Sequence, residues 1–237
     1  MIIEFFHDVI CSFCFPMSAR MRRIVNKYNN IKIIHRSFAL GWGAEDFIQS
    51  FGSREVVKQE VLKHWAHANK NDDEHRFNIE GMRNTDFNFP ISKPGLLAAK
   101  AAQIIGGEDM YWDVFDCVQH KLFVENKNVE DITVLEEAVK ETNISFDDWK
   151  KQFEKKETEE AVLKDLELAH TYGINSVPTL VINQKYAING AQSEENIIKA
   201  LTRISNDEGI PLNKLENLQF DNDMRSCYFL DGKWKCD

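Results

Sequence analysis

The sequence predicts an α/β fold in a particular order: a β-α-β unit, a long all-helical segment, and a β-β-α unit that completes the sheet. Three observations predict it. Aromatic and β-branched runs at 2–6 and 31–38 flank one helical pattern. From about Trp42 to Tyr172 apolar residues recur at helical spacing, with almost no strand signal. Strand patterns return only after Gly173, and a helix opening at Ser193 follows them.

Ile2-Ile3-Glu4-Phe5-Phe6 reads as a short buried strand, because a strand covered on both faces need not alternate. His7-Asp8-Val9-Ile10 is then a loop. A helix is predicted over 12–28, with Met17, Met21, Ile24, Val25 and Tyr28 at helical spacing and Asn29-Asn30 as its stop. Pro16 falls in its first turns, where a missing N–H is tolerated. The strand at 31–38 completes a unit that favours a parallel pair with a right-handed crossover.

In the middle segment, helices are predicted over 53–69, 93–105, 109–125, 132–142, 145–153 and 155–172. Ser145 begins a capping pattern, and Gly106-Gly107 and Gly173 stand where helix C-caps belong. The polar run 69–73 is the best internal loop. Strands are expected at 179–182 and 185–188, joined by Asn183-Gln184, and a helix over 193–204 shows Ile197, Ile198 and Leu201 on one face. Near the end, Asp231-Gly232 between apolar flanks predicts a hairpin that sets Cys227 opposite Cys236.

The 237 residues suffice for one large domain or a domain carrying an insertion. Hydrophobic residues at 43% and charged residues at 28% fit a folded globular chain. The net charge of −9 gives no electrostatic footprint for nucleic acid and is repelled by anionic membranes, so neither partner is expected. The opening MIIEFFHDVI carries Glu4 and Asp8 and lacks a basic n-region and a cleavage site. No run approaches the roughly 18 apolar residues of a membrane span. The expected compartment is the cytoplasm.

Five cysteines are too few, and odd in number, for a disulfide scaffold of this length. Cys11-Ser12-Phe13-Cys14 lies where a strand ends and a helix begins. Unpaired N–H groups at a helix start favour negative charge and bias a cysteine there towards thiolate, the nucleophile of disulfide exchange. The two-residue gap puts Cys14 within disulfide reach. Cys11 is expected to be exposed and to attack; Cys14 is expected to be shielded and to resolve the mixed disulfide. Half of a zinc site is the competing reading, but the second cysteine or histidine pair is missing and no metal is expected. Far along the chain, Gly173-Ile174-Asn175-Ser176-Val177-Pro178-Thr179 leads directly into a strand. A proline there removes a ladder donor, which fits a cis bond in a loop packed beside a site, or a plain edge-strand proline.

The pairing of Cys11-Ser12-Phe13-Cys14 with Val177-Pro178-Thr179 across a helical segment resembles the DsbA family of the thioredoxin superfamily. Tyr186-Ala187-Ile188-Asn189-Gly190-Ala191-Gln192 resembles its FrnE-like branch, cytoplasmic dithiol–disulfide isomerases related to 2-hydroxychromene-2-carboxylate isomerases and kappa-class glutathione transferases. The resemblance covers residues 1–206. It implies a discontinuous thioredoxin-like domain at 1–41 and 173–206, a helical insertion at 42–172 and a tail at 207–237 bearing the Cys227/Cys236 hairpin. It also implies Cys11 as nucleophile, Cys14 as resolving thiol and Pro178 as cis-proline. Val177 would offer backbone hydrogen bonds to an extended substrate, with Ser12 and Phe13 beside it. Substrates would be proteins with thiols or disulfides, with no resident cofactor and with glutathione or the thioredoxin system as electron donor. The family commonly has Pro at the position of Ser12. Neither Ser12 nor Phe13 carries positive charge, which leans away from a powerful oxidase.

For Cys227 and Cys236 three readings stay open: a second redox pair relaying electrons to Cys11–Cys14, a structural hairpin disulfide, or two free thiols. Cys117, in a stripe with Val114, Val118 and Leu122, reads as a buried inert thiol. His64, His67 and His75 read as a solvated face. His7 either lowers the Cys11 pKa as an imidazolium or has no role. Two further functions compete with the oxidoreductase/isomerase. One is a redox-sensing adaptor that presents a regulator to a protease. The other is a glutathione-dependent small-molecule isomerase, against which Cys11 itself speaks, since those relatives usually carry serine there.

Overall fold

The computed structural model describes residues 1–214 throughout and, as backbone strands, residues 227–230 and 233–236. The fold is the expected thioredoxin-like α/β arrangement with a block of helices between its halves. Strand β1 (Ile2–His7) lies inside a sheet of order β2-β1-β3-β4, made with β2 (Lys32–Ser37), β3 (Thr179–Ile182) and β4 (Tyr186–Asn189). β1 and β2 run parallel, as their crossover through α1 (Cys14–Lys27) requires, whereas β3 and β4 are antiparallel to their neighbours.

One sheet face carries Ile3, Phe5, Leu180 and Ile182 against Met17, Met21 and Ile24 of α1 and against Ile197 and Leu201 of α9 (Glu194–Glu208). Phe6 and Val181 point the other way, towards Ala169 of α8 (Lys156–Thr171). β1 is therefore buried from both sides, which explains its unbroken apolar run. β2 is an edge strand, and two of its outward N–H groups are covered by carboxylates. His35 N–H donates to Glu108 at 2.8 Å and Ser37 N–H to Asp165 at 3.0 Å.

Between β2 and β3 stand α2 (Ala44–Phe51), α3 (Arg54–Asn71), α4 (Ile79–Arg83), α5 (Lys93–Phe123), α6 (Ile132–Lys140), α7 (Phe146–Phe153) and α8. Their apolar faces form a second core around Trp65, Phe89, Phe115, Phe123 and Trp149.

The helices predicted over 93–105 and 109–125 are present as the two arms of α5, parted where the glycine stop was expected, at Gly107 (φ 76°, ψ −163°), a backbone setting only glycine adopts freely. Other elements differ from expectation. α2 and α4 had no predicted counterpart, and α3 extends two residues past 69 into the polar run, ending at Asn71. Ser145 stands at the N-cap of α7 without a side-chain cap bond, whereas Ser193 Oγ accepts from Asn196 N–H at 3.2 Å at the start of α9. The β3–β4 connection takes in Lys185 as well, with Asn183 (φ 51°) and Gln184 (φ 55°) both left-handed, so β4 starts one residue late. α1 begins at Cys14, not at 12, which places Pro16 third in the helix, where its missing N–H has no intrahelical duty.

At the C-terminus, β5 (Cys227–Leu230) and β6 (Lys233–Cys236) pair antiparallel with Cys227 opposite Cys236. The Asp231-Gly232 turn and the side chains of both cysteines lie outside the described residues. Among the described residues no helix is long and apolar enough to cross a membrane.

Candidate active site

The loop after β1 turns sharply. Cys11 N–H donates to the Asp8 carbonyl at 3.1 Å, and Cys14 N–H donates to the Cys11 carbonyl at 3.0 Å, which starts α1. The fold brings the second motif against this turn. The Val177–Pro178 bond is cis, Pro178 is buried, and Cys11 Sγ lies 3.5 Å from the Val177 carbonyl as its donor. Two segments 166 residues apart thus meet at one sulfur.

Cys11 is only 4% exposed, against the expectation of an open thiol. The reason is tertiary: the Val177–Pro178 loop covers the sulfur, and α1 starts three residues after Cys11, which therefore precedes the helix instead of tipping it. Cys14 is fully buried. Burial, followed by the hydrogen bond and charge of Cys11, pushes the Cys14 thiol well above the ordinary range. Ser12 is buried, and Phe13 is half-buried against the helical core. Val177 is half-buried on the opposite wall. A groove of about 270 Å³ adjoins the same loop on its β4 side, between Tyr172, Asn175 and Asn189, and contains neither cysteine.

Two residues under the turn left no mark in the motif pattern. Asp8 is buried and accepts from Ile10 N–H at 3.2 Å, Leu40 N–H at 2.6 Å and Ser92 Oγ at 2.7 Å. It ties the cysteine loop to the segment after β2 and to the start of α5. Burial raises its carboxyl from 3.8 to about 6, and the hydrogen bonds from Leu40, Ser92, Ile10 and Val9 only partly oppose that rise. Gln119 of α5 reaches the loop from below, its Nε2 lying 3.3 Å from the Asp8 carbonyl and 3.4 Å from those of Val9 and Cys11. A signal for each was present: an acid three residues before the cysteine motif, and a polar residue within the apolar stripe of Phe115, Val118 and Leu122.

The remaining candidates separate from the site. His7 stacks on Phe5 at 4.2 Å and Phe115 at 3.9 Å, with its Nε2 3.2 Å from His35 Nδ1. Burial, then His35 and Lys100, holds His7 well below the ordinary 6.5, so it is neutral and supplies no imidazolium to Cys11. Cys117 is partly exposed, not buried, and burial of much of its surroundings pushes its thiol up to about 12. His64, His67 and His75 are exposed, and among the described residues no group of three or more His, Cys, Asp or Glu is arranged to hold a metal.

A strand, a cysteine turn, a helix and a facing cis-proline loop make a thioredoxin-like arrangement. The chain matches the DSBA-like thioredoxin domain over residues 2–202 and belongs to that family. No curated protein matches it in sequence. Among solved structures it is similar to a probable DsbA oxidoreductase from Streptomyces coelicolor, at 18% identity and a TM-score of 0.68, covering 100% of this chain and 98% of that one. The cytosolic disulfide reductase DsbM from Pseudomonas aeruginosa superposes with a TM-score of 0.67 at 13% identity, covering 86% of this chain and 100% of DsbM. A 2-hydroxychromene-2-carboxylate isomerase gives 0.60 at 12% identity, covering 88% and 98%. At these identities the likeness is one of fold.

Proposed function

We propose that this DsbA-family chain is a cytoplasmic oxidoreductase and isomerase of protein disulfides, of the FrnE-like branch, with Cys11 as nucleophile and Cys14 as resolving thiol. The observation that carries the proposal is the approach of Cys11 Sγ to the Val177 carbonyl, because it puts a strand-like backbone edge beside a cysteine placed to attack an extended substrate. In the reducing direction the Cys11 thiolate bonds to one substrate sulfur, and the substrate S–S bond breaks. The released thiolate takes up a proton. Cys14 then loses its proton and attacks Cys11 Sγ, closing the Cys11–Cys14 disulfide and freeing the second substrate thiolate. The substrate gains two electrons and the protein loses two. In isomerisation a substrate thiol attacks the mixed disulfide instead, and no net electrons move. Glutathione or the thioredoxin system would return the pair to the dithiol. DsbM, solved also with GSH, supports that choice of donor and compartment. Cys227 and Cys236, set in register by β5 and β6, would be a relay pair for the same electrons.

The test is turnover of insulin reduction and of scrambled-disulfide refolding. Cys11→Ser is expected to abolish both, and Cys14→Ser is expected to accumulate mixed disulfides with substrates. Full activity in Cys11→Ser refutes the proposal. The burial of Cys11 favours one second reading, a redox-sensing adaptor that holds a regulator for a protease, since a covered sulfur meets bulky disulfides poorly. A pull-down unchanged by the double Cys11→Ser/Cys14→Ser substitution would favour the adaptor.

A further inference from the structure

We propose that Gln119 is a positioning residue for the Cys11–Cys14 couple, setting its redox balance through the backbone carbonyls of the loop. The inference rests on the reading of Cys11 and Cys14 as the redox pair.

Three backbone oxygens converge on one side-chain nitrogen. Gln119 Nε2 lies 3.3 Å from the Asp8 carbonyl and 3.4 Å from each of the Val9 and Cys11 carbonyls. Two of these carbonyls already hold the turn: Asp8 accepts from Cys11 N–H and Cys11 accepts from Cys14 N–H. Gln119 therefore adds a second donor to both bonds that shape the cysteine loop. Its orientation is dictated by this arrangement, since Oε1 turned towards three carbonyls would repel all of them. The cost is visible at the other end of the amide, where Oε1 is buried and has no hydrogen-bond partner among the described residues. A core glutamine that leaves its own oxygen unsatisfied to feed three loop carbonyls is held there for the loop. Electrostatically, its N–H edge offsets three carbonyl dipoles crowded around the turn that carries the reacting sulfur. Without that offset the neighbourhood of Cys11 is more negative. A more negative neighbourhood disfavours any thiolate formed in the reduced pair relative to the neutral disulfide.

Two variants separate this from a packing role. Gln119→Met keeps the length and removes the donors. Gln119→Glu keeps the shape and adds a charge as the pH rises. The measurement is the equilibrium of the Cys11–Cys14 couple against glutathione buffers at pH 6 and pH 8, read by mass shift after thiol alkylation, with melting temperature recorded alongside. For Gln119→Met the equilibrium is expected to move about tenfold towards the disulfide, which is about 30 mV for a two-electron couple. For Gln119→Glu the displacement from wild type is expected to be larger at pH 8 than at pH 6, a pH dependence that packing alone does not produce. Equilibria equal to wild type in both variants, with only the melting temperature lowered, overturn the proposal. If one variant does not fold, the equilibrium of the other decides by the same criterion. If the wild-type pair itself fails to titrate against glutathione, the redox reading is what has failed, and this inference goes with it.

Discussion

Asp8 turns the architecture of the cysteine loop into a measurable pH dependence. Its carboxyl is buried under three donors and titrates at about 6, against 3.8 in an unstructured chain. Between those values the unfolded chain has released a proton that the folded chain still holds. The unfolded state is therefore favoured progressively as pH rises, and stability falls through this window. Below 3.8 both states are protonated and the full contribution is present; above about 6 both are ionised and it has been lost. The gap is roughly two pH units at about 1.4 kcal/mol each, or about 3 kcal/mol in total, of which somewhat over 2 kcal/mol falls between about pH 4 and 7.

Wild type alone will not display this slope, because His7 and His35 oppose it. Burial holds both imidazoles well below 6.5, so the unfolded chain takes up protons there that the folded chain refuses. Those two groups remove stability as pH falls below 6.5. Comparison with Asp8→Asn cancels them. Asparagine keeps the shape and loses one acceptor oxygen, either Oδ2, shared by Leu40 N–H and Ser92 Oγ, or Oδ1, used by Ile10 N–H, a cost that does not vary with pH. Urea unfolding of both proteins at half-unit steps from pH 4 to 7 gives the difference curve. The wild-type advantage is expected to shrink by about 2 kcal/mol across the series. A difference flat to within about 0.5 kcal/mol, or one growing with pH, would falsify the assignment of Asp8 as the titrating acid.

Lys100→Met strips Asp165 of one of its two cations at a site where both members are buried, and is expected to lower stability by about 3 kcal/mol in urea melts; adding Asp165→Leu should restore most of it. Gly95→Ala would set a methyl 2.7 Å from Val9 Cγ2 on the cysteine loop, so it is expected to cost about 1–2 kcal/mol despite the better helix propensity of alanine, and to reduce turnover with it. For the relay reading of the tail, the double Cys227→Ser/Cys236→Ser variant should slow multiple-turnover reduction by glutathione and leave a single attack by Cys11 unchanged. Equal multiple-turnover rates would reduce that pair to a structural or idle role.

What could be read in the sequence was local. β3 is a short run of β-branched and apolar residues, and its bounds matched. The two motifs were visible because each is short and continuous, Cys11 to Cys14 and Val177-Pro178-Thr179. What failed was non-local or too small to leave a pattern. α2 is only about two turns long, its Ala44, Phe47, Ile48 and Phe51 falling at helical spacing over too short a window to stand out, and α4 is little more than a single turn. β4 slipped by one residue because two left-handed residues widened its connection. The cover over Cys11 comes from a loop 166 residues away, which no spacing within its own segment encodes.

The same distinction explains why the cysteine loop, more than the cysteines, defines this site. Phe5, before the loop, and Met17, after it, belong to the core between sheet and α1. Val9, Ile10 and Phe15 belong to the helical core. The loop crosses the seam between the two, and much of what fixes it arrives from the helical side: Ser92 on Asp8, Gly95 under Val9, Gln119 on three carbonyls. Val177, which faces Cys11, is anchored on the sheet side with Phe6 and Val181. The separation of Cys11 Sγ from the Val177 carbonyl is therefore a reading of how the two cores are seated on each other. A chain that altered only its helical block, keeping every residue from Cys11 to Cys14 and from Val177 to Thr179, would still change how far that sulfur is covered.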